Sequence, residues 1–210
     1  MVRRYVVLLP VVVMLALVAG NVGVGALDEA PTKIAAKAKA LGITKAGHRY
    51  RYHEEQSTGD EGRLTIDAPV PWSDTADSVF RRPDTNEPYG VGVRVTTDAQ
   101  KWHDTFDVPG YRITLTSHVP ADPDSLLEPN ATSYDSCRAL GVKPFDNGKY
   151  HGSYELFAKC DGTKTAGIVV AATDERGSTF LLLAGTAVTK ADLKAFDRAL
   201  SGATLEKTSV

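Results

Sequence analysis

Two short runs in the last third of the chain constrain the fold most. Residues 166–172 (AGIVVAA) and 180–184 (FLLLA) are of strand length and apolar throughout. A strand with no alternation has no face for water, so both read as central strands of a sheet covered on both sides. Asp174-Glu175-Arg176-Gly177 joins them with hairpin chemistry.

The remaining strands show a period of two. His48, Tyr50 and Tyr52 alternate with Arg49, Arg51 and His53, and Gly59-Asp60-Glu61-Gly62 turns the chain. Leu64 and Ile66 then face inward until Pro69 and Pro71 stop the ladder, since proline has no N–H to donate. Val91, Val93 and Val95 form a half-buried strand, and Tyr111, Ile113 and Leu115 another whose second face, with Arg112, Thr114 and Thr116, should be wet. Tyr150, Gly152, Tyr154, Leu156, Ala158 and Cys160 share one parity, which puts Cys160 with the apolar face.

Helices have their own signals. Asp98 can cap a short helix over 99–106, with Trp102 and Phe106 at i, i+4. Asp122 or Asp124 caps a turn holding Leu126 and Leu127, which Pro129 ends. Thr189 with Asp192 is a capping-box variant opening a helix whose inner stripe is Leu193, Phe196 and Leu200 and whose end is Gly202. Residues 72–90 show no period and read as a loop. The sum is an α+β domain, a single antiparallel sheet of about six to seven strands covered by helices.

The N-terminus reads as an export signal. Arg3 and Arg4 precede an uncharged run over residues 5–19, and Val24-Gly25-Ala26 supplies small residues for cleavage between Ala26 and Leu27. The competing reading is an uncleaved anchor, because residues 5–27 reach the length of about 20 needed to span a bilayer. Pro10, Asn21 and the glycines of its second half make it a poor hydrocarbon helix. The expected organisation is a signal at 1–26, a loosely docked tether at 27–47 with Ile34, Ala38 and Leu41 on one face, a domain at 48–205 and a tail at 206–210. The protein is expected outside the cytoplasm, secreted or in the cell envelope, or anchored by one span with the domain outside.

Export sets the meaning of Cys137 and Cys160, the two cysteines of the chain. In an oxidising compartment a lone pair reads as one disulfide. A metal pair or a reactive thiol are the rival readings. The nearest histidine, His151, stands too far along the chain to complete a short-spaced ligand motif.

The order of elements resembles the PsbP-like fold. The residues that carry this are Val70-Pro71-Trp72-Ser73, Tyr89-Gly90-Val91-Gly92-Val93, Trp102 ahead of Val108-Pro109-Gly110, Cys137, Lys149-Tyr150-His151-Gly152 and Cys160-Asp161-Gly162. Within that fold the chain is similar to small exported actinobacterial domains that occur alone, behind an anchor, or fused to trypsin-like serine proteases. The resemblance implies an antiparallel sheet between helices, a disulfide, and service as a binding or accessory module rather than as a catalyst.

The chain shows no catalytic signature. It has no Gly-x-Ser-x-Gly elbow, no phosphate-binding glycine loop followed by lysine and no dinucleotide fingerprint. His53-Glu54 opens like a zinc-protease motif, but Ser57 stands where the second histidine is needed. No catalytic residue, metal or cofactor is expected. With the signal removed, loss of Arg3 and Arg4 takes the formal charge from −2 to −4, and a mildly acidic chain without a basic patch argues against nucleic acid as partner.

The expected function is a non-catalytic extracytoplasmic binding or accessory module. Its partner would be another envelope or extracellular protein or a small ligand, and it would meet a membrane only through an uncleaved N-terminal segment. The candidate binding surface is Trp72, Phe80 and Tyr89 in the irregular loop, with Trp102 and His103. The alternative is a hydrolase centred on His103, His118 or His151, which requires a deep pocket and a histidine within hydrogen-bond reach of a carboxylate or serine.

Overall fold

The computed structural model describes residues 31–81 and 85–207, without the side chain of Tyr89. The expected signal at 1–26, the Ala26–Leu27 junction, the first residues of the tether and the last three of the tail lie outside the described residues.

The chain opens with a 3-10 turn, Ile34–Lys37, running into α1 (Ala38–Leu41). Strands β1 (Tyr52–Gly59), β2 (Gly62–Pro69), β3 (Asp74–Asp77), β4 (Phe80–Arg81), β5 (Pro88–Tyr89) and β6 (Val91–Thr96) follow. Then come α2 (Ala99–Asp104), β7 (Gly110–Thr116) and α3 (Leu127–Ala131), the last flanked by 3-10 turns at Pro123–Leu126 and Thr132–Tyr134. The chain ends with β8 (Arg138–Asp146), β9 (Tyr150–Ala158), β10 (Ala166–Asp174), β11 (Phe180–Ala187), α4 (Lys190–Gly202) and β12 (Thr204–Glu206).

The α+β class holds, but the strands form three sheets rather than one. A seven-stranded antiparallel sheet has the order β3-β6-β7-β11-β10-β9-β8, a second sheet is β1-β2-β12, and β4 pairs with β5. The division follows from Pro69 and Pro71. They end β2 and free the β1–β2 hairpin to lie across the main sheet instead of extending it.

The main sheet is buried on both faces. Ile168 and Val170 of β10 and Leu181 and Leu183 of β11 join the larger core with β2, Trp72 and α4. Val169, Ala171, Phe180 and Leu182 join a second core under α3. The two continuous apolar runs are therefore the central strands, as their lack of alternation requires. The second face of β7 departs from expectation. Thr114 and Thr116 are buried, because the chain after β3 folds over them and the Phe80 N–H reaches Thr114 Oγ1 at 3.4 Å.

The N-terminal segment is docked, not loosely tethered. Ile34 and Leu41 are 0 % exposed, and the Asp197 carboxylate on α4 accepts the N–H groups of Ile34 (2.6 Å) and Ala35 (3.1 Å). Pro129 sits inside α3 rather than ending it. At the third helical position its missing N–H would have had no intrahelical partner.

Cys137 and Cys160 are disulfide-bonded. Closing that loop stabilises by about 3 kcal/mol on the chain-entropy argument. The bond lies on the face opposite to the one that strand parity implies. Lys159 adopts a left-handed conformation (φ 58°), which breaks the alternation and turns Cys160 into the second core.

Candidate functional site

The second face of the sheet carries a cleft of about 320 Å³ between the α2–β7 connection and the 3-10 turn at Thr132–Tyr134. One wall starts at Asp98, whose carboxylate accepts the Lys101 N–H at 3.0 Å and so caps α2. That places Trp102 on the inner side of the helix, its ring against Gly110. A Cβ on Gly110 would lie 2.9 Å from Trp102 Cδ1, so glycine is what lets the indole seat there. Phe106 also lines the cleft and reaches across to Tyr134, with 6.0 Å between ring centroids.

Tyr134 is the opposite wall. Its ring lies over Gly167, where a Cβ would come within 2.2 Å of the ring. It stacks on Phe157 with centroids 4.8 Å apart, and its hydroxyl donates to the Gly185 carbonyl at 2.8 Å. Burial drives this phenol well above its ordinary pKa, so it stays a neutral donor. Three residues on, the Cys137 N–H donates to the Tyr134 carbonyl at 2.8 Å, and the disulfide ties that turn to the end of β9. The bond thus anchors a wall of the cleft.

The floor is Arg112 of β7 with Ala184 and Thr186 of β11. The Arg112 guanidinium carbon stands 3.8 Å from the centre of the Phe80 ring. Directly across the ladder is Arg94, a like charge. Arg94 is matched by Asp74, with 3.3 Å between Nη2 and Oδ1. Arg112 makes no ion pair among the described residues, and its buried Nε has no acceptor. Burial lowers its pKa from the ordinary arginine value, yet a guanidinium remains charged. The Trp102 Nε1–H, also buried, likewise has no acceptor among the described residues.

Buried polar groups are nearly always satisfied, and buried charges are paired or bound to something. Two unmatched donors, one cationic, on the same cleft are the mark of a site for an acceptor. Two larger clefts, of about 510 and 630 Å³, share Lys194 and Arg198 on α4. Those cations are exposed, and Arg198 already meets Asp67 at 3.0 Å, so neither cleft holds a desolvated charge without a match.

No protein-family model matches this chain, and no curated protein matches it. The chemistry of the cleft therefore rests on its own atoms.

The expected surface residues divide. Trp102 and His103 line the cleft. Trp72 does not belong to any surface: it is 0 % exposed, with the rings of Tyr50, Tyr111 and Phe196 at 5.8, 5.5 and 6.4 Å. The reason is area, since burying so large an apolar ring outweighs any need for regular structure around it. Phe80 is likewise buried, as the platform beneath Arg112, and pairs through its backbone with Tyr89. The sequence reading missed Arg112 and Tyr134. No sequence signal marked Arg112, whose place opposite Ala184 of the apolar β11 appears only once the strands are paired.

The histidines give no relay. His103 and Asp104 are not bonded to each other, and Asp104 accepts from Gln100 Nε2 at 2.6 Å. His118 Nδ1 lies 3.2 Å from Glu61 Oε1, so a histidine and a carboxylate do meet. Ser117 Oγ, however, donates to the same carboxylate at 3.0 Å, so its proton is directed to Glu61 and not to the imidazole, which is 67 % exposed. His151 Nε2 stands 3.3 Å from Thr173 Oγ1. Among the described residues no group of three or more His, Cys, Asp or Glu side chains is placed to hold a metal ion.

Proposed function

We propose that this protein is an exported, non-catalytic binding module that takes a small anionic ligand in the cleft between Trp102 and Tyr134. Arg112 carries the reading: it is a largely buried cation with no carboxylate partner among the described residues, on the floor of a cavity whose second unmatched donor is an indole N–H. A catalyst would need a nucleophile joined to its base, and no hydrogen bond joins the His103, Asp104 and Ser133 side chains that also line the cleft, Asp104 being held by Gln100.

The disulfide supports a working place outside the reducing cytoplasm. The likeness to PsbP-like exported domains supports a binding or accessory role. Among the described residues no helix is long and apolar enough to cross a membrane, so an anchor would fall to the N-terminal segment.

Native mass spectrometry of the protein recovered from its own producing cell tests this reading. It should show a small bound mass on the wild type that is absent from Arg112→Met, and a chain beginning at Leu27. Equal bound mass on both proteins would remove the cleft from the account, and a chain retaining Arg3 and Arg4 would replace the cleaved signal by an anchor.

A further inference from the structure

Resting on that reading, we infer that the ligand is a small monocarboxylate with an apolar body, its carboxylate between Arg112 and Trp102 Nε1 and its body against the rings of Trp102, Phe106 and Tyr134. Charge is the first argument. Among the described residues Arg112 is the single Lys or Arg lining the cleft, which Asp104 also lines. One cation matches one negative charge. A phosphate dianion would bring a second charge towards Asp104, and polyanion sites gather several cations. Arg94 adds none, because Asp74 already matches it.

Shape is the second argument. One face of the guanidinium is occupied by the Phe80 ring at 3.8 Å, which leaves the edge of the fork for acceptors. A planar carboxylate presents its two oxygens to such an edge, and Trp102 supplies a further donor at the same cavity. Three aromatic rings and Ala184 line the cleft beside Arg112 and can hold an apolar group, while Thr105, Ser133 and Thr186 offer hydroxyls to any polar substituent on it. The volume of about 320 Å³ is at the low end for ligand cavities, which admits a body the size of one ring or a short alkyl chain.

The probes are benzoate and hexanoate, set against inorganic phosphate and against benzamide, which has the shape of benzoate without its charge. Nitrogen-15 NMR follows the Trp102 indole N–H and the Arg112 Nε–H, with the core Trp72 indole as internal reference. Benzoate and hexanoate should move both cleft resonances, with phosphate and benzamide weaker by about tenfold or more, the value of a hydrogen bond to a charged group. Trp102→Phe keeps the wall, removes the donor, and should weaken benzoate about tenfold. Phosphate binding as well as benzoate would overturn the carboxylate assignment and leave an anion site standing. Benzamide equal to benzoate would overturn the role of the charge. If none of the four probes moves either resonance, the cleft is not the site and the functional reading falls with it.

Discussion

Arg94 and Arg112 stand directly opposite each other on β6 and β7, and Asp74 partners the first of them alone. Asp74 also accepts the Ala99 N–H at the start of α2 at 2.7 Å. It therefore neutralises one of two facing like charges from the strand beyond it and ties the edge strand β3 to the helix that carries Trp102. Asp74→Asn should destabilise the protein by about 1–2 kcal/mol, from one weakened ion pair and one unscreened cross-strand repulsion. The loss should shrink in high salt, which screens repulsion between charges open to solvent. Urea unfolding at low and high ionic strength measures both, and a salt-independent loss would show that repulsion is not the cause.

Gly167 makes room for Tyr134. A methyl group there would press on the ring, which cannot slide because Phe157, the Gly185 carbonyl and the Cys137 turn hold it. Gly167→Ala should cost about 1–3 kcal/mol, as overpacking does. It should also speed hydrogen exchange over residues 132–137 relative to the rest of the second core. A variant as stable as the wild type would mean that the wall is softer than described.

Glu61 links the tip of the β1–β2 hairpin to the end of β7. Burial would raise its pKa, but hydrogen bonds from the Ser117 N–H and from the Thr116, Ser117 and His118 side chains outweigh burial and hold it below the ordinary value. With the folded pKa depressed, this contribution is complete above the unfolded value of about 4.3 and is lost as pH falls through the folded value. Glu61→Gln should lower stability by about 1–2 kcal/mol at neutral pH, where charge-assisted hydrogen bonds are lost. It should also flatten the acid limb of the stability curve below about pH 4.3. An unchanged acid limb would contradict the assignment.

Much of the scaffold was legible because local chemistry decided it. Thr189 and Asp192 form the full capping box of α4, Asp98 caps α2, and Asp174 to Gly177 turn β10 into β11. The illegible parts are those that distant residues decide. Strand β8 carries Gly141 and Pro144 and breaks register between Ala139 and Val142, so it has no clean alternation and exists because β9 pairs with it. Cys160 changed face through one left-handed residue, Lys159, which no period reveals. Trp72 lies in a stretch without pattern, yet long-range packing buries it completely.

The candidate site was half visible for a related reason. Trp102 and His103 stood out as residue types. Arg112 looked like one of several polar residues on a wet strand face, and only the fold shows that its neighbours are Phe80, Ala184 and a second arginine. An unmatched charge is defined by what is missing around it, and that is a property of three dimensions.

The stability of Arg112→Met in the absence of any ligand tests the central claim most directly. Holding a cation largely out of water costs free energy when no counter-charge is present, at most several kcal/mol and less for a side chain that is not fully buried, such as Arg112, while its contact with Phe80 returns about 1–2 kcal/mol. A residue kept for a ligand therefore burdens the empty protein. Urea unfolding should find Arg112→Met as stable as the wild type or more stable, by about 1 kcal/mol. A loss of more than about 1 kcal/mol, as expected when a structural buried group is removed, would contradict the account.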